Sequence, residues 1–262
     1  NGTAVTAVPD LGYHFVQWTD NSTANPRTDS NVTANISVTA TFANDAPSIA
    51  AVGDQTVLED SSTAQITFQV ADLESAAASL LVTAASSETG LIPNPSVGAG
   101  ASDGERVLTY APMAHQNGST VITLTINDPA GGSAQRSFII NVTAVNDAPQ
   151  LSLGSVTAHP AATSGMQSVP GFATVVLGPA EEPTTQAIDD FVVQTTDPDG
   201  VLSALDIGND GALSYTLTGV GGTASISARV RDNGGTSNGG VDLSSTRNFS
   251  IEVARGADLQ VA

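Results

Sequence analysis

The sequence has no cysteine and no lysine. It also has no apolar run approaching the ~18 residues that span a bilayer. Each absence removes a class of chemistry. Without cysteine there is no disulfide framework, no thiolate metal site and no cysteine nucleophile. Without lysine there is no Schiff-base or Ser-Lys chemistry. Secretion stays open, because a large domain builds an adequate core without staples. Positive charge is scarce: 7 basic residues, all Arg, stand against 26 acidic ones, for a net charge of −19. Such a chain is repelled by nucleic acid and by anionic membrane surfaces, so neither nucleic acid binding nor direct membrane insertion is expected. It attracts cations, and clustered carboxylates and carbonyls suit calcium.

What is present points to strands. Val, Thr, Ile, Ser and Gly abound, while strong helix formers other than Ala are few. Apolar residues alternate with polar ones, the period of a half-buried strand, in residues 65–70, 120–126, 137–142, 224–230 and 248–253. Turn signals separate these runs: Asn117-Gly118, Gly131-Gly132, Gly221-Gly222, Asn233-Gly234-Gly235 and Asn238-Gly239-Gly240. The Ala-rich stretch Glu74–Leu81 reads as a loop or short turn. With 262 residues there is room for two or three modules of roughly 100 residues each. The expectation is an all-β chain of tandem sandwiches.

The punctuation between modules recurs. Asn44-Asp45-Ala46-Pro47 returns 102 residues later as Asn146-Asp147-Ala148-Pro149, each time after a strand of alternating Val, Thr and Ala. A repeat at the length of one sandwich reads as a tandem array. The proline fixes φ and removes a donor, so it ends the upstream strand and stiffens the joint. The Asn and Asp place side-chain oxygens there.

Residues 44–147 resemble the cadherin-like, immunoglobulin-like repeats of bacterial surface proteins. The matching elements are Val57-Leu58-Glu59-Asp60, Val70-Ala71-Asp72-Leu73-Glu74, Leu108-Thr109-Tyr110-Ala111-Pro112, Gln116-Asn117-Gly118-Ser119-Thr120 and Ile126-Asn127-Asp128. Residues 148–255 look like a sister family, on Arg231-Asp232-Asn233-Gly234-Gly235 through Val241-Asp242, Gly178-Pro179-Ala180-Glu181-Glu182 and Gly211-Ala212-Leu213-Ser214-Tyr215-Thr216. They depart from its pattern at Ala158-His159-Pro160, where an acidic pair is expected. Residues 1–43 resemble an internalin B-type repeat, on Val5-Thr6-Ala7-Val8-Pro9, Gly12 through Trp18, and Asn31 through Phe42, with its opening strands missing. A fragment boundary or a strand supplied by another segment accounts for that gap. Residues 256–262 resemble a linker or the first strand of a following module. The implied architecture is tandem immunoglobulin-like and cadherin-like β-sandwiches in an extended array, preceded by a small partial module.

The cadherin-like resemblance implies calcium at the joints, where acidic side chains from a domain end, the linker and the next domain converge on the ion. Calcium takes about six to eight hard oxygen ligands. For the first joint the candidates are Asn44, Asp45, Glu59, Asp60, Asp72, Glu74 and Asp128. For the second they are Asn146, Asp147, Asp197, Asp199 and Asp232, with Glu181 and Glu182 as weaker ones. The competing reading makes the same groups solvated acidic loops or Asx-turn residues.

Catalysis is not expected. His14, His115 and His159 have no zinc-type spacing, and no Gly-x-Ser-x-Gly elbow occurs. Three roles follow. One is a non-enzymatic stalk or adhesin segment of a secreted or cell-surface protein, whose partners are other modules of the chain and cell-surface glycans or proteins. Another is an accessory region of a secreted enzyme touching polysaccharide, which aromatic platforms would favour; aromatics make up only 4% of this chain. The last is a filament subunit joined to like chains by β-strand addition between residues 257–261 and 3–8.

Overall fold

Period-two alternation becomes strand in each run that carries it. The computed structural model describes residues 2–179 and 186–256. The expected tail strand and the Glu181-Glu182 pair lie outside these. The chain divides into two units, Asn1–Thr143 and Ala144–Ala262.

The first unit opens with β1 (Tyr13–Trp18) and β2 (Ala40–Asn44), an antiparallel pair with a bulge between Phe15 and Gln17. Trp18 is buried and packs against Phe15, which meets Phe42 edge-on. A buried arginine completes this small core. The Arg27 guanidinium lies 5.4 Å from the Trp18 ring centroid and binds the carboxylates of both Asp20 and Asp29.

Eight strands follow: β3 (Ser48–Ile49), β4 (Gln55–Leu58), β5 (Ala64–Ala71), β6 (Leu81–Ser86), β7 (Ser96–Ala99), β8 (Glu105–Tyr110), β9 (Gly118–Asn127) and β10 (Ser133–Thr143). They form two sheets, ordered β3-β5-β8-β7 and β4-β10-β9-β6. All neighbours are antiparallel except β4, which runs parallel to β10 over Gln55–Leu58 and Ile140–Thr143. Facing residues of the two sheets make the core: Phe68, Val70 and Leu108 from one, Ile122, Leu124, Ile126 and Ile140 from the other. The Ala-rich stretch forms a single 3-10 turn at Ala77–Ser79, held by Arg106, which donates to the carbonyls of Ala77 and Leu80.

The second unit contains β11 (Gln150–Leu153), β12 (Ser164–Val169), β13 (Ala173–Val176), β14 (Ile188–Thr196), β15 (Leu202–Ile207), β16 (Leu213–Thr218), β17 (Gly222–Asp232) and β18 (Arg247–Val253). The sheets are β14-β17-β18, β12-β16-β15 and the pair β11-β13. Its core gathers Leu151, Phe172, Leu213, Leu217, Ile226, Val230 and Ile251. Here β12 and β13 together take the place of β5: β12 pairs with β16 as β5 pairs with β8, and β13 pairs with β11 as β5 pairs with β3. The parallel ladder of the first unit shrinks to one bridge, His159 with Val253.

Candidate metal centre

Strand direction decides which carboxylates meet. Asp72 and Glu74 leave the end of β5, Asp128 leaves the end of β9 in the opposite sheet, and Asn44 is the last residue of β2. The Asn44 side-chain amide donates to Asp128 Oδ2 at 2.7 Å, and Asp128 Oδ1 accepts the Gly132 N–H at 2.9 Å. Gly132 is pressed so closely onto this pair that a Cβ would collide with Asp128 Oδ2 and the Asn44 amide nitrogen. One carboxylate oxygen each from Asp72, Glu74 and Asp128 lie within 4.8 Å of one another.

Four oxygens of this cluster lack donors. Asn44 Oδ1, Asp72 Oδ2 and both Glu74 carboxylate oxygens are buried without a hydrogen-bond partner. A buried acceptor left unpaired carries its full desolvation penalty, and neighbouring like charges raise it further. Burial, with added repulsion from Asp72 and Asp128, pushes the Glu74 carboxyl above the ordinary glutamate range. Burial also pushes Asp128 upward, but hydrogen bonds from Asn44 and from the N–H groups of residues 130–132 outweigh it and hold Asp128 below the usual value. The donor set is hard oxygen with excess negative charge, which a divalent cation of calcium type fits.

The surroundings come from the small β1–β2 module. Glu74 lies against Gly12, whose positive φ of 79° and missing Cβ make room for it. Asp45 donates its N–H to the Gly12 carbonyl at 2.7 Å, and its carboxylate is engaged by His14 Nδ1 at 2.6 Å. Asp45 therefore borders the cluster through its backbone while its side chain turns to His14.

Glu59 and Asp60 do not join this cluster. They precede β5 and Asp72 follows it, so eight strand residues, roughly 26 Å, intervene. Glu59 is buried with its N–H on the Thr143 carbonyl, and Asp60 accepts the His115 N–H at 2.9 Å. Grouping them with Asp72 at one joint is corrected by the direction of β5.

The second set divides in the same way. Asn146 donates from its side-chain amide to Asp232 Oδ1 at 3.0 Å and to the Val241 carbonyl at 2.8 Å. Asp232 is buried and also accepts the Gly234 N–H. Burial raises its carboxyl, opposed by those two hydrogen bonds and reinforced by Asp242. Asp147 follows Asn146 and is half-buried. Asp197 and Asp199 sit elsewhere. Asp197 spends both oxygens on the N–H groups of Val201 and Leu202, and Asp199 binds the Thr223 N–H and Arg255. Thr223 is at the start of β17 and Asp232 at its end, so Asp199 and Asp232 stand at opposite ends of the strand. The Asp197-Pro198-Asp199 turn is a structural cap rather than part of the Asn146–Asp232 cluster.

One residue of the second cluster carries no signal in the sequence: Gln186, whose side-chain amide donates to Asn146 Oδ1. In the first cluster, Gly12 and His14 were likewise invisible as neighbours of Glu74 and Asp45.

Comparison with known proteins gives two family matches. Residues 1–46 match the divergent InlB B-repeat domain, and residues 44–143 match the bacterial Ig domain, in the order the motifs implied. No curated protein sequence matches the chain significantly. Among solved structures, human protocadherin-24 EC1-2 is 18% identical, with 80% of this chain and 100% of that one covered at a TM-score of 0.48. Drosophila N-cadherin EC1-4 is 12% identical, covering 83% and 52% at 0.48. Protocadherin gamma C5 EC1-3 is 16% identical, covering 83% and 73% at 0.46.

Proposed function

We propose that this chain is a non-enzymatic structural and adhesive segment of a secreted or cell-surface protein, and that its first unit holds calcium through Asn44, Asp72, Glu74 and Asp128. The observation that carries the calcium reading is the cluster itself. Oxygens of three carboxylates lie within 4.8 Å of one another, and several of them are buried without a donor, which supports a cation as their partner. The ion would neutralise the repulsion among Asp72, Glu74 and Asp128 and fasten the end of β5 to the end of β9. Because Glu74 rests on Gly12, occupancy also bears on how the small module is held within the first unit.

The match of residues 44–143 to a bacterial Ig family supports an extracellular structural or adhesive role.

Thermal unfolding in millimolar calcium and in excess chelator tests the reading. An ion that binds only the folded state raises stability by mass action, by about 2.7 kcal/mol at a hundredfold excess over Kd. The rise should vanish in Asp128→Asn. Equal melting in calcium and chelator for the natural chain would refute the metal centre.

A further inference from the structure

Among the described residues three leucines stand exposed: Leu11 at 71%, Leu73 at 65% and Leu81 at 63%. Singly exposed leucines need no explanation, but these come from three separate segments to one place. Leu11 precedes Gly12, which lies against the Glu74 side chain. Leu73 sits between Asp72 and Glu74, whose carboxylates belong to the cluster. Leu81 opens β6 and pairs with Asn127 on β9, the residue before Asp128. We infer that this leucine rim around the carboxylate cluster is a docking surface for a segment of another protein that carries both apolar and basic side chains.

Charge selects that partner. The rim is interleaved with acid: Asp10 beside Leu11, Asp72 and Glu74 on either side of Leu73, and Asp128 next to the residue that pairs with Leu81. His14 and Arg106 come near, and both are committed. His14 engages Asp45, and Arg106 donates to the carbonyls of Ala77 and Leu80. The whole chain carries a net charge of −19. A second copy or an anionic lipid surface would therefore bring like charge to the rim, whereas arginine or lysine on the partner would meet opposite charge. The leucines add the apolar area that a lasting contact needs, since complementary charge acts mainly on encounter and specificity. The docking surface stands on exposure and charge. Its response to calcium rests on the calcium reading of the cluster, because an ion there would cancel part of the negative charge and weaken the attraction.

NMR titration of the full chain with a synthetic peptide of alternating leucine and arginine, in chelator at low salt, tests this. Amide signals of residues 10–12, 72–74 and 81 should move together. Replacing all three leucines (L11S, L73S and L81S) leaves every charge in place and should weaken binding by about tenfold or more, through lost apolar burial. Met166→Ser, which removes an exposed apolar side chain from the second unit, should leave binding unchanged. Peptides of leucine with glutamate, or of serine with arginine, should bind more weakly than the leucine–arginine peptide. Natural affinity in the triple variant, an equal loss in Met166→Ser, or equal binding by either control peptide would overturn the inference. So would self-association of the natural chain that the triple variant loses, which assigns the rim to a second copy. Flotation with anionic phospholipid vesicles, lost in the same variant, would overturn it in favour of a lipid surface. Calcium at constant ionic strength should weaken peptide binding. Equal binding in calcium and chelator, with the leucine dependence intact, would count against the metal centre and leave the docking surface standing.

Discussion

Asn44 donates to Asp128 across 84 residues of sequence, at 2.7 Å. The pair joins the segment that enters the sandwich to the turn that follows β9, at the end of the opposite sheet. Asn146 repeats the bond to Asp232 across 86 residues, at 3.0 Å. In both, the aspartate also accepts the N–H of a following glycine, Gly132 or Gly234. The Asn of the repeated Asn-Asp-Ala-Pro is thus a latch between domain entry and strand end.

Removing the latch residue should have different consequences in the two units. Asn44→Ala takes away both a donor to Asp128 and an oxygen of the proposed calcium site. The first unit should lose stability in chelator and recover less with calcium than the natural chain does. Asn146→Ala leaves Asp232 with the Gly234 N–H alone among its two donors and should destabilise the second unit in chelator as well as in calcium. Calorimetry of both variants under the two conditions checks the contrast; equal calcium responses in natural chain and Asn44→Ala would count against the site.

Acidity should act on the calcium-free first unit in two opposed limbs. Glu74 titrates above its ordinary range, chiefly through burial. Its contribution is present below the unfolded pKa and is lost as pH rises through the folded one. Asp128, held low by hydrogen bonds that outweigh its burial, has the opposite sign: its contribution is present above the unfolded pKa and is lost as pH falls through the folded one. In chelator, stability should therefore increase as pH drops from neutral through the Glu74 range, then fall at more acid pH. Calcium should abolish the first limb, because ion and proton compete for the same oxygens. Urea unfolding followed at the NMR signals of β9 gives the curve.

Arg27 should resist conservative replacement. It engages Asp20 and Asp29 with a planar fork while its face covers Trp18. Lysine offers neither the fork nor the flat surface. Arg27→Lys should shift the emission of Trp18, the single tryptophan, to longer wavelength and speed hydrogen exchange in β1, with no effect on β17. An unchanged spectrum would show that the guanidinium does not shield the ring.

Ser244 is fully buried, accepts the Val230 N–H at 2.9 Å and donates to the Ser245 carbonyl. Ser244→Ala leaves that buried N–H without its acceptor and should cost the second unit about 1–3 kcal/mol. Chemical denaturation measures it; a loss near zero would mean that the strand closes over the gap.

Much of this arrangement is legible in the sequence because it depends on local rules. Alternation at 65–70, 120–126, 137–142, 224–230 and 248–253 marks strands whose buried faces are those expected, since a half-buried strand has little other way to satisfy period two. The recurrence of Asn-Asp-Ala-Pro announced paired junctions. What stayed hidden depends on direction and on distant partners. Asp60 and Asp72 are twelve positions apart and look like neighbours, but an eight-residue strand carries them to opposite ends. Asp199 and Asp232 are parted in the same manner by β17. Gln186 is an unremarkable polar residue until the fold sets its amide on Asn146.

The parallel pairing of β4 with β10 has a mechanical consequence. These are the entry and exit sides of the first sandwich, so tension applied along the chain pulls the two strands past each other. The ladder from Gln55–Leu58 to Ile140–Thr143 is then loaded in shear, and its hydrogen bonds must fail together rather than one by one. The second unit offers the single His159–Val253 bridge at the same place. Under a steady pull the second unit should yield first and lengthen, sparing the first, as a fuse does in series with a tether; single-molecule stretching in which the first unit opens first would refute this.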